Sequence, residues 1–145
     1  MADYRRGAHT IYDLKLHFVW VTKYRHPILV GELATAARDL LRRICEERDV
    51  LILSGHVSRD HVHLFVSVPP SLSPSDLAQA MKGKSSRLLF EQFPHLRRRY
   101  WGQHLWGRGY FVASAGTITD EMVKEYIARQ DRHQEERFTV SDDAQ

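Results

Sequence analysis

Cysteine is almost absent from this chain. One thiol, Cys45, stands among 145 residues, so no internal disulfide can form. That fits a reducing compartment. The N-terminal stretch MADYRRGAHT has no apolar segment of the kind a secretory signal needs. No apolar run approaches the ~20 residues of a membrane helix. A cytoplasmic protein is the expectation. Internal repeats, low-complexity tracts and obvious linkers are also missing, and the closing SDDAQ reads as a frayed polar tail. What is present is ordinary for a globular protein: 43% hydrophobic and 27% charged residues, enough for one domain with a real core.

Acidic residues are scarce in one region. Between positions 82 and 112 the cations Lys82, Lys84, Arg87, Arg97, Arg98, Arg99 and Arg108 face a single acid, Glu91, although the whole chain carries only +3. Tyr100, Trp101, Trp106, Tyr110 and Phe111 are interleaved with them. Cations neutralise phosphates and aromatic faces stack on exposed bases, so this mixture suits single-stranded nucleic acid. The plainer reading is a solvated basic face beside core aromatics.

The pattern along the chain gives the order β-α-β-β-α-β-α. Residues 11–24 alternate, with Leu14, Leu16, Phe18 and Trp20 on one face and Lys15 and His17 on the other. Residues 31–48 place Leu33, Ala36, Ala37, Leu40, Leu41 and Ile44 at helical spacing, and Cys45 beside them reads as a small core residue. Residues 50–57 and 61–68 read as strands joined at Ser58-Arg59-Asp60. Ser73 is a candidate N-cap for the next helix, with Pro74 in its first turn and Asp76 at capping-box spacing. Gly83 suggests a bend or a close contact within that helix. Residues 105–115 form a glycine-punctuated loop leading into a strand. Thr119 is a candidate cap for the last helix, and Asp120 and Glu121 suit its positive end. The first six elements fit the α+β, ferredoxin-like (RRM-like) βαββαβ arrangement: an antiparallel sheet with helices on one face. The C-terminal helix is an addition.

Chemistry concentrates at RDHVHLFV. Alternation on a strand sends Val62, Leu64, Val66 and Val68 to the core face and His61 and His63 to the other. Two imidazoles one strand repeat apart can converge on a metal ion. Paired surface histidines are nevertheless common. His17 and His56 lie on neighbouring strands as candidates for a supporting shell. On the last helix, Tyr126 and Gln130 are four apart and share a face. Tyr126 suits an amphipathic core position, with Met122, Val123 and Ile127 nearby. The alternative is a nucleophile. A phenol has a pKa of ~10, and it becomes competent when a metal polarises the phosphate it attacks. A glutamine carbonyl one turn away can serve the same metal.

The segments HFVWVTKYRHPIL, SGHVSRDHVHLFVSVPP, MKGKSSRLLF, LWGRGYFVASAG and VKEYIARQ together resemble the HUH single-tyrosine transposases of small insertion sequences (TnpA type, the IS200-like family). The resemblance covers nearly the whole chain, as one domain spanning 1–145 with a flexible tail at 141–145. It implies cleavage and rejoining of single-stranded DNA at the ends of the element. Tyr126 would form a 5′-phosphotyrosine link and release a 3′-hydroxyl. His61, His63 and Gln130 would hold Mg²⁺ or Mn²⁺, and imidazole donors favour the softer Mn²⁺. The resemblance further implies a homodimer able to exchange tyrosine helices, and recognition of DNA hairpins. The basic segment from Lys82 to Arg108 is the candidate hairpin contact. Two other functions share parts of this pattern. One is a chromosomal nuclease acting on repeated palindromes; the other is a non-catalytic RRM-like module, which needs aromatics on the exposed sheet face, where this chain instead carries the two histidines, with Phe65 beside them.

Overall fold

The computed structural model describes residues 4–98, 104–115 and 120–137, with side chains of the last helix described through Arg129. Arg99, Tyr100, Trp101, Thr119 and the tail at 141–145 lie outside the described residues, as do the side chains of Asp120 and Gln130.

A small hairpin of β1 (Arg5–Arg6) and β2 (Ile11–Tyr12) precedes the main sheet. The main strands are β3 (Lys15–Val21), β4 (Leu51–Val57), β5 (His61–Ser67) and β6 (Phe111–Ser114). They lie in the order β4-β5-β3-β6, and every pairing is antiparallel. The helices are α1 (Gly31–Glu46), α2 (Pro74–Gln92) and α3 (Asp120–Arg137). The expected βαββαβ unit with an added helix is therefore present.

One sheet face packs on α1 and α2. Phe18, Trp20, Val62, Leu64 and Val66 meet the α1 stripe of Leu33, Ala37, Leu40, Leu41 and Ile44, together with Leu77, Met81, Leu89 and Phe90 of α2. Each fully buried aliphatic or aromatic side chain contributes roughly 1.5–3 kcal/mol. Cys45 is buried there with Sγ 3.9 Å from Met81 Sδ, and burial raises its thiol to about 11. It is a core residue, as its position beside the stripe suggests.

Ser73 caps α2: its Oγ accepts from the Asp76 amide at 3.1 Å, and Pro74 follows at the first helical position. Gly83 makes no close contact. The helix runs on through it, and a Cβ there would meet no atom within 4 Å.

Residues 11–24 do not form one strand. Ile11–Tyr12 turns back to pair with Arg5–Arg6, and the sheet strand begins only at Lys15. Leu14 sits in the break and is 43% exposed instead of sharing the core face. At the other end, Val21 is followed by a 3-10 turn, Lys23–Arg25, in which Tyr24 and Arg25 adopt φ of 58° and 53°. A bulge at Leu53 interrupts β4 and leaves that leucine exposed. Trp106 belongs to the core: it is edge-on to Trp20, and its Nε1 donates to Ser85 Oγ at 2.9 Å.

Candidate active site

The second face of the sheet carries the titratable groups. On β5, His61 and His63 alternate with the buried Val62 and Leu64, so both rings leave the core side half-buried. The register places Val21 opposite His61, and Val19 and His56 on either side of His63. His17 stands opposite Phe65, stacks on its ring at 4.3 Å and 18°, and reaches His63. The contact between His17 Nδ1 and His63 Nε2 is 3.1 Å. Burial lowers the His17 pKa, which favours the neutral ring. The two supporting-shell candidates, His17 and His56, therefore both neighbour His63.

His61 has a different partner. Its Nδ1 lies 2.9 Å from Asp60 Oδ1, and Arg25 Nε donates to Asp60 Oδ2 at 2.8 Å. Burial by itself would raise the Asp60 carboxyl. Hydrogen bonds from His61 and Arg25, with the arginine charge, outweigh it and hold the group below the usual carboxylate range. In the sequence Asp60 reads only as a turn residue, and nothing local singles out Arg25. The signal available was an acid directly preceding the histidine pair.

The last helix closes part of this face. Val19 and Val21 of β3 are fully buried although they point away from the main core. They form a second cluster with Ile127, against which Val123, Tyr126 and Phe111 pack. Tyr126 therefore rests on the strand adjacent to the histidine strand. Its ring centroid is 5.9 Å from that of Phe111. Its hydroxyl is buried with no hydrogen-bond partner among the described residues, and burial raises its pKa to about 12. A phenol so placed is fully protonated near neutral pH. An orphan buried hydroxyl costs roughly 1–3 kcal/mol, and the core indole of Trp20 carries the same kind of unpartnered group.

No group of three or more His, Cys, Asp or Glu is arranged to hold a metal among the described residues. The donors present are two imidazoles that share a sheet face. His61 retains an Nε2 without a partner among the described residues. Neutral nitrogen donors of this kind suit a borderline divalent ion, with further ligands needed to complete its shell. Gln130, one turn beyond Tyr126 in α3, is the remaining sequence candidate.

The seven basic residues separate into distinct groups. Lys82 is half-buried, and its Nζ donates to Gly107 O at 2.9 Å and Gly109 O at 2.6 Å. Burial pushes its pKa down to about 8, while the two carbonyl acceptors favour the charged form. Lys82 ties the 107–109 loop to α2. Lys84 pairs with Glu47 and Arg87 with Glu91, each at 3.5 Å. Arg97, Arg98 and Arg108 are exposed. A cleft of about 300 Å³ between α1 and β4 lies outside the histidine cluster, apart from His56 on its lining. An open face suits a polymeric strand better than an enclosed pocket. No described helix is long and apolar enough to cross a membrane.

These features have counterparts among known proteins. The family profile described as "Transposase IS200 like" matches residues 10–130. The chain is 34% identical over 128 residues to the ISDra2 transposase TnpA of Deinococcus radiodurans, covering 88% of this chain and 91% of that protein. It is 38% identical over 130 residues to the transposase for insertion sequence element IS200 of Salmonella typhimurium, covering 90% and 85% respectively. Its fold is similar to the crystal structure of a transposase candidate from D. radiodurans R1. That match has a TM-score of 0.81 and 36% identity, over 87% of this chain and 97% of that one. A REP-associated tyrosine transposase bound to a REP hairpin shares the fold at a TM-score of 0.55 and 16% identity, over 90% and 69%.

Proposed function

The chain belongs to the IS200-like transposase family, and from that premise we propose that it cuts and rejoins single-stranded DNA at insertion-sequence ends, with Tyr126 as nucleophile. The observation that carries this reading is the seat of Tyr126: on the histidine face of the sheet, with a buried, unpartnered hydroxyl.

In the cleavage step, Tyr126 Oη bonds to the scissile phosphorus and gives up its proton. The bond from phosphorus to the 3′-oxygen breaks, and that oxygen leaves as a 3′-hydroxyl. The product is a 5′-phosphotyrosine. Rejoining reverses the exchange: a 3′-hydroxyl attacks the phosphotyrosine and the phenol leaves. Each ester broken is replaced by another, so no nucleotide energy is required.

His61, His63 and Gln130 would hold the divalent ion, Mg²⁺ or Mn²⁺. When bound, such an ion supplies positive charge to the non-bridging oxygens of the attacked phosphate. With its pKa raised to about 12, the Tyr126 phenol keeps its proton until the phosphate is engaged.

The buried hydroxyl requires that α3 lift for DNA to reach it. The helix sits on a small second cluster, so lifting it would expose only a few apolar side chains. That cost is small enough for a bound strand, or a second subunit, to offset. A homodimer exchanging α3 between subunits fits this arrangement. Arg97, Arg98 and Arg108, with Arg99, would track the phosphates of a hairpin.

Oligonucleotides copied from the DNA flanking the gene test the proposal. Incubation with Mn²⁺ should give an SDS-stable adduct whose nucleotide maps to Tyr126 by peptide mass spectrometry. Attachment at another residue, or none with either flank, would remove Tyr126 as the nucleophile.

A further inference from the structure

Residues 22–29 are tied closely to the turn that precedes the histidine strand. The Thr22 amide donates to Asp60 O at 2.9 Å, and the Leu29 amide donates to Arg59 O at 2.9 Å. Thr22 Oγ1 donates to His26 O at 2.8 Å. Between these anchors, Tyr24 and Arg25 both occupy the left-handed region, at φ 58° and 53°. Non-glycine residues there cost of order 1–3 kcal/mol each, and such strain gathers at sites that need a particular geometry. Here the strained turn carries Arg25, whose Nε meets Asp60 Oδ2. The side chains of this pair are only 28% and 20% exposed. The other carboxylate oxygen of Asp60 is the one facing His61 Nδ1.

A carboxylate has only acceptors to offer, so the nitrogen facing it must carry hydrogen. We propose that Asp60, clamped by Arg25, is a positioning residue for His61: it fixes the imidazole proton on Nδ1 and leaves the Nε2 lone pair for a metal ion. The pair plays the part of the outer-shell carboxylate that orients many metal-ligating histidines. One carboxylate oxygen serves the histidine while the other is pinned by arginine, so the acceptor cannot rotate away. His63 is placed differently: its Nε2 faces His17 Nδ1. The two histidines of the pair are thus held by different means, and Asp60 should matter to His61 alone. This inference rests on the reading of His61 as a metal ligand.

The test uses the full-length protein and two readouts independent of cleavage. Long-range ¹H–¹⁵N spectra of the metal-free protein above pH 8, where imidazoles are neutral, report each tautomer. Wild type should show His61 as the Nδ1–H form. Asp60→Ala should shift His61 towards Nε2–H and leave His63 unchanged. Asp60→Asn, whose single amide oxygen His61 Nδ1–H and Arg25 Nε–H must share, should fall between wild type and Asp60→Ala. Mn²⁺ binding, followed by EPR of the free ion, should weaken about 10–100-fold in Asp60→Ala and less in Asp60→Asn. An unchanged His61 tautomer in a folded Asp60→Ala protein would overturn the positioning role, as would Mn²⁺ affinity within twofold of wild type. His61→Ala separates the two ideas. If it binds Mn²⁺ as well as wild type does, the ligand assignment is wrong, whatever the tautomers show.

Discussion

Tyr126 lies against Phe111 with ring centroids 5.9 Å apart, and its hydroxyl ends in a buried position without a hydrogen-bond partner among the described residues. Tyr126→Phe keeps the ring packing and deletes the orphan group. It is expected to leave stability unchanged or raise it by about 1 kcal/mol, because an unsatisfied hydroxyl gains nothing from burial. Covalent attachment to single-stranded DNA should disappear while hairpin binding persists. Urea denaturation and an SDS gel of the oligonucleotide reaction measure the two effects. A loss of more than about 1 kcal/mol would mean that the hydroxyl is satisfied in solution.

The same burial makes an alkaline prediction. The Tyr126 phenol ionises at about 12 in the folded protein against 10.0 for the free side chain. Above pH 10 the unfolded chain releases this proton first, so the stabilising contribution is complete below pH 10 and is lost as pH rises towards 12. Wild type should therefore lose stability over that interval more steeply than Tyr126→Phe. Urea midpoints for both proteins between pH 9 and 12 provide the comparison, and parallel curves would contradict the buried phenol.

The basic residues should divide in function as they do in structure. Lys82 is committed to Gly107 O and Gly109 O, so Lys82→Met should cost about 1–3 kcal/mol of stability and leave the salt slope of hairpin binding unchanged. Arg97 and Arg98 are exposed. Their joint replacement by alanine should flatten the log–log salt dependence by about 0.9 for each phosphate no longer neutralised, with little effect on the melting temperature. Filter binding between low and moderate salt tests both. A flattened slope in Lys82→Met alone would reverse the assignment.

Much of this arrangement is legible in the residue pattern, and the remainder is hidden for identifiable reasons. Alternation in HVHLFV places Val62, Leu64 and Val66 inside and the histidines outside, as the structure has them. Ser73 and Pro74 mark the start of α2 through local chemistry alone. Val19 and Val21 resist such a reading. They share a strand face with His17, which period-two logic assigns to the polar side, yet α3 covers them. The clue is an apolar residue at every position of FVWV, the mark of a strand buried on both faces. Trp106 falls among the cations in sequence, but its indole spans to Ser85 in the core. The Arg25–Asp60 pair joins positions thirty-five residues apart through a left-handed turn at two non-glycine residues. No local propensity signals such a turn.

Removing either imidazole tests the metal reading most directly. His61 and His63 leave the core side of β5 half-buried, and neither supports the hydrophobic core. Their replacement by alanine should therefore change the melting temperature little. Cleavage should fall by at least ~10²-fold at moderate Mn²⁺, since an ion polarising the phosphate supplies several kcal/mol of transition-state stabilisation. Higher Mn²⁺ should restore part of the activity of each single variant, because one imidazole and the helix donor would remain. The double variant should stay inactive at any concentration. Chelator should bring wild type down to the level of the double variant. Full cleavage by both single variants in chelator would remove the metal role of the histidine pair. The tyrosine would then need another source of activation.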